Sequence, residues 1–294
     1  MKVLITGGTG FIGSTLTKKW AKDGHHVTIL TRQQLTNRET IRYVSTLDDI
    51  NSEEIFDVVV NLAGYSLFQR PWTKSVKQEI TDSRIVTTKA LVALNQRLQH
   101  PFGILISGSA VGIYGNQHNH WLPEDSHHGQ HFGAQLCEQW EQEALQAEHQ
   151  GTRVCLIRTG IVLGPGGALQ RMQAAARWGV ISPIGSGLQY WPWIDIDDEV
   201  NAIDFLAQHP QLSGAFNLCS PNPVTNSEFT NALASTMNRK VRLPAVPAWI
   251  LKTLTLGAGQ LLIDSQRAVP SQLLGAGFKF QYENLTDSLL RFSR

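Results

Sequence analysis

The segment Thr6-Gly7-Gly8-Thr9-Gly10-Phe11-Ile12-Gly13 carries the most legible chemistry in this chain of 294 residues. Its spaced glycines follow the apolar run Val3-Leu4-Ile5 and precede a segment in which Leu16 and Trp20 stand four apart. Strand, glycine turn and helix in that order make a cradle for a dinucleotide's pyrophosphate. Gly7 permits a tight turn, Gly10 lets the backbone approach the phosphates, and Gly13 lets helix and strand pack closely. Unpaired N–H groups at the start of the helix, reinforced by its dipole, favour an anion. Gly7, Thr9, Gly10, Phe11, Ile12 and Gly13 are therefore the expected cofactor contacts.

Cofactor choice is read further along. An NAD-preferring site places an acid about 20 residues past the glycines to hold the ribose 2′-hydroxyl. Here Val27-Thr28-Ile29-Leu30 ends in Thr31-Arg32, with no Asp or Glu. Arg32 instead suits the extra phosphate of NADP, in charge and in forked geometry. Arg38 could add to it. NADP(H) is the expected cofactor. Asn61-Leu62-Ala63-Gly64 closes another apolar run, and a small residue pair there lets a ribose or adenine lie against the backbone, with Leu62, Ala63 and Gly64 the expected contacts. A plain strand-to-loop turn is the other reading of that segment.

Further polar groups follow strand ends. Ser107 and Ser109 come directly after Ile106, and Tyr114 lies just beyond them. A tyrosine without a neighbouring cation keeps a pKa near ~10, so Tyr114 would donate a hydrogen bond rather than act as a base. Arg84 and Arg158 could each grip a carboxylate or phosphate through two parallel hydrogen bonds. Trp72, Tyr190, Trp191 and Trp193 could wall a flat substrate, with Tyr190 the chosen contact; packing of an interdomain seam is the favoured reading of the group. His118, His120, His127, His128 and His131 read as a polar surface loop without metal. Asp195, Asp197, Asp198 and Glu199 read as the charged start of a helix.

These residues must be positioned by an alternation of strands and helices. Apolar runs at Val3–Ile5, Val27–Leu30, Val58–Leu62, Gly103–Ile106 and Val154–Ile157 read as buried parallel strands. Helical patterns at roughly Gly13–Lys22, Thr81–Gln96 and Gln135–His149 separate them. The pattern predicts an α/β fold, a Rossmann-type doubly wound parallel sheet, with a small, mostly helical C-terminal substrate domain. Residues 1–220 form the expected cofactor domain, with 164–194 turned to the lid and substrate side. Residues 221–294 form the small domain. Ala215–Leu218 is one more strand.

Bulk properties narrow the class. Lys plus Arg is 25 and Asp plus Glu is 24, a net charge of +1 that gives no nucleic-acid or membrane footprint. No apolar run approaches about 18 residues, and no signal-peptide pattern precedes the first strand. Cys137, Cys155 and Cys219 are widely spaced and fit reduced thiols in a cytoplasmic protein. The expected partner is a small molecule, with room for a homodimer.

Taken in order, Thr6–Gly13, Asn61–Gly64 and Ser107–Gly115 resemble the extended short-chain dehydrogenase/reductase group, the NAD(P)-dependent epimerase/dehydratase family. Arg70–Thr73, Ser83–Thr88, Trp140-Glu141, Arg158–Gly164, Gly185–Gly187 and Trp193–Asp198 resemble its atypical, sugar-nucleotide-epimerase-like subgroup of YfcH type, and the tail with Val269-Pro270 and Gly275–Phe278 is similar to that subgroup's small C-terminal domain. The resemblance covers essentially the whole chain. It implies a Rossmann-type NADP-binding fold. It also implies a Ser or Thr, a Tyr and a Lys at the active site, the last two four residues apart on one helix. By that match Ser109 is the preferred hydroxyl and Ser107 lies beside the cofactor. The helix expected to carry the pair, residues 131–141, contains neither Tyr nor Lys. Two readings follow. One is an NADP(H)-dependent oxidoreductase or epimerase-like enzyme using Ser109, with Tyr114 or a water as proton donor. The other is a non-catalytic NADP(H)-binding sensor.

Overall fold

The computed structural model describes residues 1–293, apart from the side chains of Lys252 and Leu254. Seven strands form one sheet: β1 (Lys2–Thr6), β2 (His26–Leu30), β3 (Ile41–Val44), β4 (Val58–Asn61), β5 (Ile104–Ala110), β6 (Arg153–Thr159) and β7 (Gly214–Leu218). Their spatial order is β7-β6-β5-β4-β1-β2-β3, and every pairing is parallel. The order reverses between β1 and β4. That is the switch point of a doubly wound sheet, where a crevice opens beyond the strand ends.

Both sheet faces are buried, and the alternation of side chains shows how. Val3, Ile5, Val58, Val60, Ile104, Ile106 and Ile157 point to one face. They pack there with Leu16 and Trp20 of α1 (Phe11–Lys22) and, further along the chain, Ile203 and Leu206. Leu4, Val59, Leu105, Val154 and Leu156 point to the other. Leu91 and Leu94 of α2 (Lys74–Arg97) and Ala144 of α3 (Phe132–Leu145) cover that side. Period-two burial on both faces is why these strands read as unbroken apolar runs.

Beyond β6, α4 (Gly167–Arg177), α5 (Ile196–Gln208) and α6 (Asn226–Thr236) follow. α5 supplies Ile203 and Leu206 to the α1 face, and Trp20 Nε1 donates to Asp204 at 2.7 Å. Leu169 and Ala176 of α4 pack with Phe229 and Leu233 of α6, with Trp191 and Trp193, and with Leu289 of the terminal helix Leu285–Arg291. Asp195 caps α5 through the Asp197 N–H at 2.9 Å, as its sequence suggests. It also accepts from Ser288 and Arg291, both at 2.6 Å, which pins the C-terminal helix to the sheet side.

Three elements differ from the sequence expectation. β3 has no counterpart among the apolar runs; it is an edge strand with a mixed Ile-Arg-Tyr-Val pattern. α2 begins at Lys74 rather than Thr81, because Thr73 caps it by accepting from the Val76 N–H. α4 falls within residues 164–194, where the sequence pattern assigns no helix.

Candidate functional site

A cleft of about 520 Å³ lies across the switch point. Its floor is the glycine turn. Gly7 has φ +72°, and a Cβ there would meet the Leu62 carbonyl oxygen at 2.6 Å; a Cβ on Gly13 would meet the Gly7 oxygen at 2.2 Å. Only glycine permits this approach of β1, α1 and the end of β4. Gly10 is the N-cap of α1, so the helix has no side-chain cap, and its first turn holds no acid. Its leading N–H groups are left for an anion.

Of the expected cofactor contacts, Gly7, Gly10, Phe11, Ile12, Gly13, Leu62 and Gly64 line this cleft. Thr9 is exposed on the turn, and Ala63 lies behind the wall, its N–H donating to Thr6 Oγ1 at 3.3 Å. Arg32 is exposed just past β2. Ser107 does not reach the cleft. It is fully buried and accepts from Asn61 Nδ2 at 3.3 Å, inside a cluster with Thr6, Thr88 and Trp140. Ser107 is still paired with Asn61, the last residue of β4, whereas Ser109, two residues on, lies past that strand's end and so meets the cleft.

The Ser109 hydroxyl donates to Glu141 Oε1 at 2.6 Å. Glu141, on α3, is only 5% exposed and receives both Nε (2.8 Å) and Nη2 (2.9 Å) of Arg158 from β6. Arg158 also donates to the Tyr114 hydroxyl at 3.0 Å and to the Glu124 carbonyl at 2.7 Å. The assignment of Arg158 as a substrate contact is therefore corrected: at 4% exposure its donors are spent inside the protein. Tyr114 is corrected too. It is fully buried, donates to Asn217 Oδ1 at 2.7 Å, and burial pushes its hydroxyl up to about 12. No proton is offered to the cleft from there.

Arg84 behaves differently. It lines the cleft, stacks over the Trp140 ring at 5.3 Å, and lies against Gly64. Burial lowers its pKa from the usual value, and no carboxylate offsets that. The cleft-facing positions of α3 include Gly133 and Cys137, four apart, the spacing of the missing pair. Burial pushes the Cys137 thiol up to about 11, so it is inert at neutral pH.

Tyr190 is corrected as a substrate contact. Its ring faces the Arg267 guanidinium at 4.6 Å and does not line the cleft. Its neighbour Trp191 does, as does Trp72, whereas Trp193 is fully buried in the cluster with Leu163, Phe229 and Leu233. Sequence reasoning also missed the far wall, Leu261, Leu262 and Gln266. Nearby, His131 caps α3 through the Ala134 N–H at 3.1 Å, and its Nε2 lies 3.0 Å from Asp264 Oδ2. No pattern in the sequence joins positions so distant.

Glu199 on α5 is fully buried behind the cleft residue Thr159, whose hydroxyl donates to it at 2.9 Å. Burial raises its carboxyl to about 8. The folded protein thus holds a proton that the unfolded chain releases above its ordinary carboxylate pKa. Stability is fully present at acid pH and falls as pH rises toward 8, by up to ~1.4 kcal/mol per unit. Glu199→Gln should remove this slope in urea-unfolding curves taken between pH 5 and 8. An unchanged slope would show that Glu199 does not hold the proton.

A family model described as the NAD dependent epimerase/dehydratase family matches residues 3–219, and a domain of unknown function (DUF1731) matches residues 246–291. An epimerase family protein of Mycobacterium bovis is 38% identical over 290 residues, covering 98% of this chain and 96% of its own. The Bacillus subtilis epimerase family protein YfhF is 35% identical over 295 residues, covering 98% and 97%. Among solved structures, the human epimerase family protein SDR39U1 (isoform 2) with NADPH superposes with a TM-score of 0.91 at 28% identity, over 100% of this chain and 99% of that one. A matched model across the whole sheet, relatives over the full length and the glycine-turn cleft agree: this chain belongs to the NAD dependent epimerase/dehydratase family.

Proposed function

We propose that the protein is an NADP(H)-dependent oxidoreductase or epimerase-like enzyme that acts on a small molecule by hydride transfer. The observation that carries this reading is the position of Ser109: on the wall of the cleft that begins at the glycine turn, with Glu141 buried behind it. The residues present fit the dinucleotide. The glycine cradle and the uncapped start of α1 suit its pyrophosphate, and Arg32, exposed past β2, suits a 2′-phosphate. When bound, the nicotinamide supplies or accepts a hydride.

The protein's own contribution is proton handling. Glu141 can only accept while ionised, so it takes the Ser109 hydrogen and leaves the Ser109 lone pairs to the cleft. Ser109 therefore accepts from a substrate hydroxyl rather than polarising a carbonyl. As that proton moves to Ser109 Oγ, the serine's own proton moves to Glu141, which Arg158 holds in place and which becomes neutral on accepting it. The reverse sequence protonates the product of a reduction. Cys137, Cys155 and Cys219 are buried and unpaired, which fits a reducing cytoplasm, and among the described residues no helix is long and apolar enough to cross a membrane.

The second reading, a non-catalytic NADP(H)-binding sensor, is favoured by one observation: Gly133 and Cys137 stand on the cleft face of α3, where neither can transfer a proton at neutral pH. Two measurements separate the readings. NADPH and NADH titrations, followed by cofactor fluorescence, should show a preference for NADPH that Arg32→Asp lowers by roughly 10–100-fold, the worth of a charge-assisted hydrogen bond. Equal affinity for both cofactors in the unmutated protein would remove the assignment of Arg32. NADPH oxidation across a panel of carbonyl compounds should then find a consumed substrate. Tight NADPH binding with no turnover on a broad panel would establish the sensor reading instead.

A further inference from the structure

The guanidinium of Arg84 is held but not neutralised. Nη1 donates to the carbonyls of Ile80 (3.0 Å) and Tyr65 (3.3 Å) and to Ser83 Oγ (3.3 Å), and Nη2 donates to the Tyr65 carbonyl (3.2 Å). Nε–H and the second hydrogen of Nη2 have no acceptor among the described residues. These two lie on one edge of the guanidinium, the edge that pairs with the two oxygens of a carboxylate or phosphate. Trp140 and Gly64 both lie against the group, so it is fixed in place. Half-buried at the cleft wall and without a counter-ion among the described residues, the guanidinium is left for a ligand to complete.

Most of the cleft around it is apolar, with Ser66, Ser109, Thr159 and Gln266 as its neutral polar side chains. Phe68, Trp72, Phe132, Leu136 and Leu261 form the wall beyond the glycine turn, and Arg84 is the cleft's sole cationic side chain among the described residues. We infer that the free edge of Arg84 anchors the anionic group of the molecule that shares this cleft with the dinucleotide, and that this molecule is an apolar or aromatic carboxylate or phosphate rather than a sugar nucleotide. A sugar nucleotide brings a diphosphate and a ring of hydroxyls, which call for several donors and acceptors. This cleft offers one guanidinium and a few scattered neutral polar side chains on a predominantly hydrophobic surface, the pattern that selects an amphiphilic anion. The inference rests on the hydride-transfer reading only in naming that molecule a substrate.

The test uses benzoate, phenyl phosphate and benzyl alcohol as probes of one shape, titrated calorimetrically into the NADPH-loaded protein. At least one anion should bind about tenfold or more tightly than the alcohol, and the order of the two anions identifies carboxylate or phosphate as the group taken. Arg84→Gln should abolish the difference while NADPH affinity stays within about threefold, and Arg84→Lys should restore part of it. The comparison of anion and alcohol in the unmutated protein stands even where a variant does not fold. Equal affinity for all three probes would overturn the inference, as would an Arg84→Gln variant that folds and loses NADPH instead. Anion discrimination without hydride transfer on any panel compound would retain the subsite and refute the enzyme reading.

Discussion

Replacing Arg158 by methionine lowers the unfolding free energy by roughly 3–5 kcal/mol, the cost of stranding one member of a buried ion pair. Glu141 would keep its place with no cation, and Tyr114 and the Glu124 carbonyl would each lose a donor. Urea denaturation measures the effect. Glu141→Gln added to Arg158→Met should recover part of it, since the stranded charge is then gone. A loss under about 1 kcal/mol for the single variant would show that water reaches the pair, and the pair would no longer serve as a rigid proton acceptor.

Ser109→Ala should reduce turnover by about 10²–10⁴-fold on any substrate that the NADPH panel identifies, the usual worth of a positioned proton-transfer group. NADPH affinity should not change, because Ser109 stands apart from the glycine cradle and from Arg32. The accompanying Glu141→Gln variant should also slow turnover, because the serine then loses its proton acceptor, while leaving the cofactor bound. Turnover indifferent to the loss of the hydroxyl would free Ser109 of its role and move the proton path to solvent.

The sheet was legible because its strands are buried on both faces. The runs Val58-Val59-Val60 and Ile104-Leu105-Ile106 carry no polar break, and the glycine turn follows β1 without an intervening residue. β3 was not legible, since an edge strand needs only partial burial, and Arg42 and Tyr43 blur the pattern. The cofactor end of the site could be read because its contacts are consecutive along the chain. The proton-handling end could not. Ser109, Glu141 and Arg158 belong to β5, α3 and β6, and only the parallel register that sets Ser109 beside Arg158 brings the three together. Arg158, near the end of β6, and Tyr114, four residues past β5, read as site residues from their places in the chain. Both sit near the cleft, but their polar atoms turn into the protein and are satisfied there. Arg84 read as a cation near a strand end; it stands instead on α2, and what the sequence could not reveal was that no carboxylate among the described residues pairs with it.

The sheet order has a consequence for how the polypeptide acquires its shape. β1 is central, yet its two neighbours come later in the chain, β2 at residue 26 and β4 at residue 58. During vectorial synthesis the glycine turn emerges before the partner that closes its far side, so the nucleotide cradle is completed only after Leu62 has arrived beside Gly7. Until then a strand with the apolar run Val3-Leu4-Ile5 carries an open edge, exposed to pairing with other nascent chains. Early dinucleotide capture cannot rescue that intermediate, because half of the cradle does not yet exist.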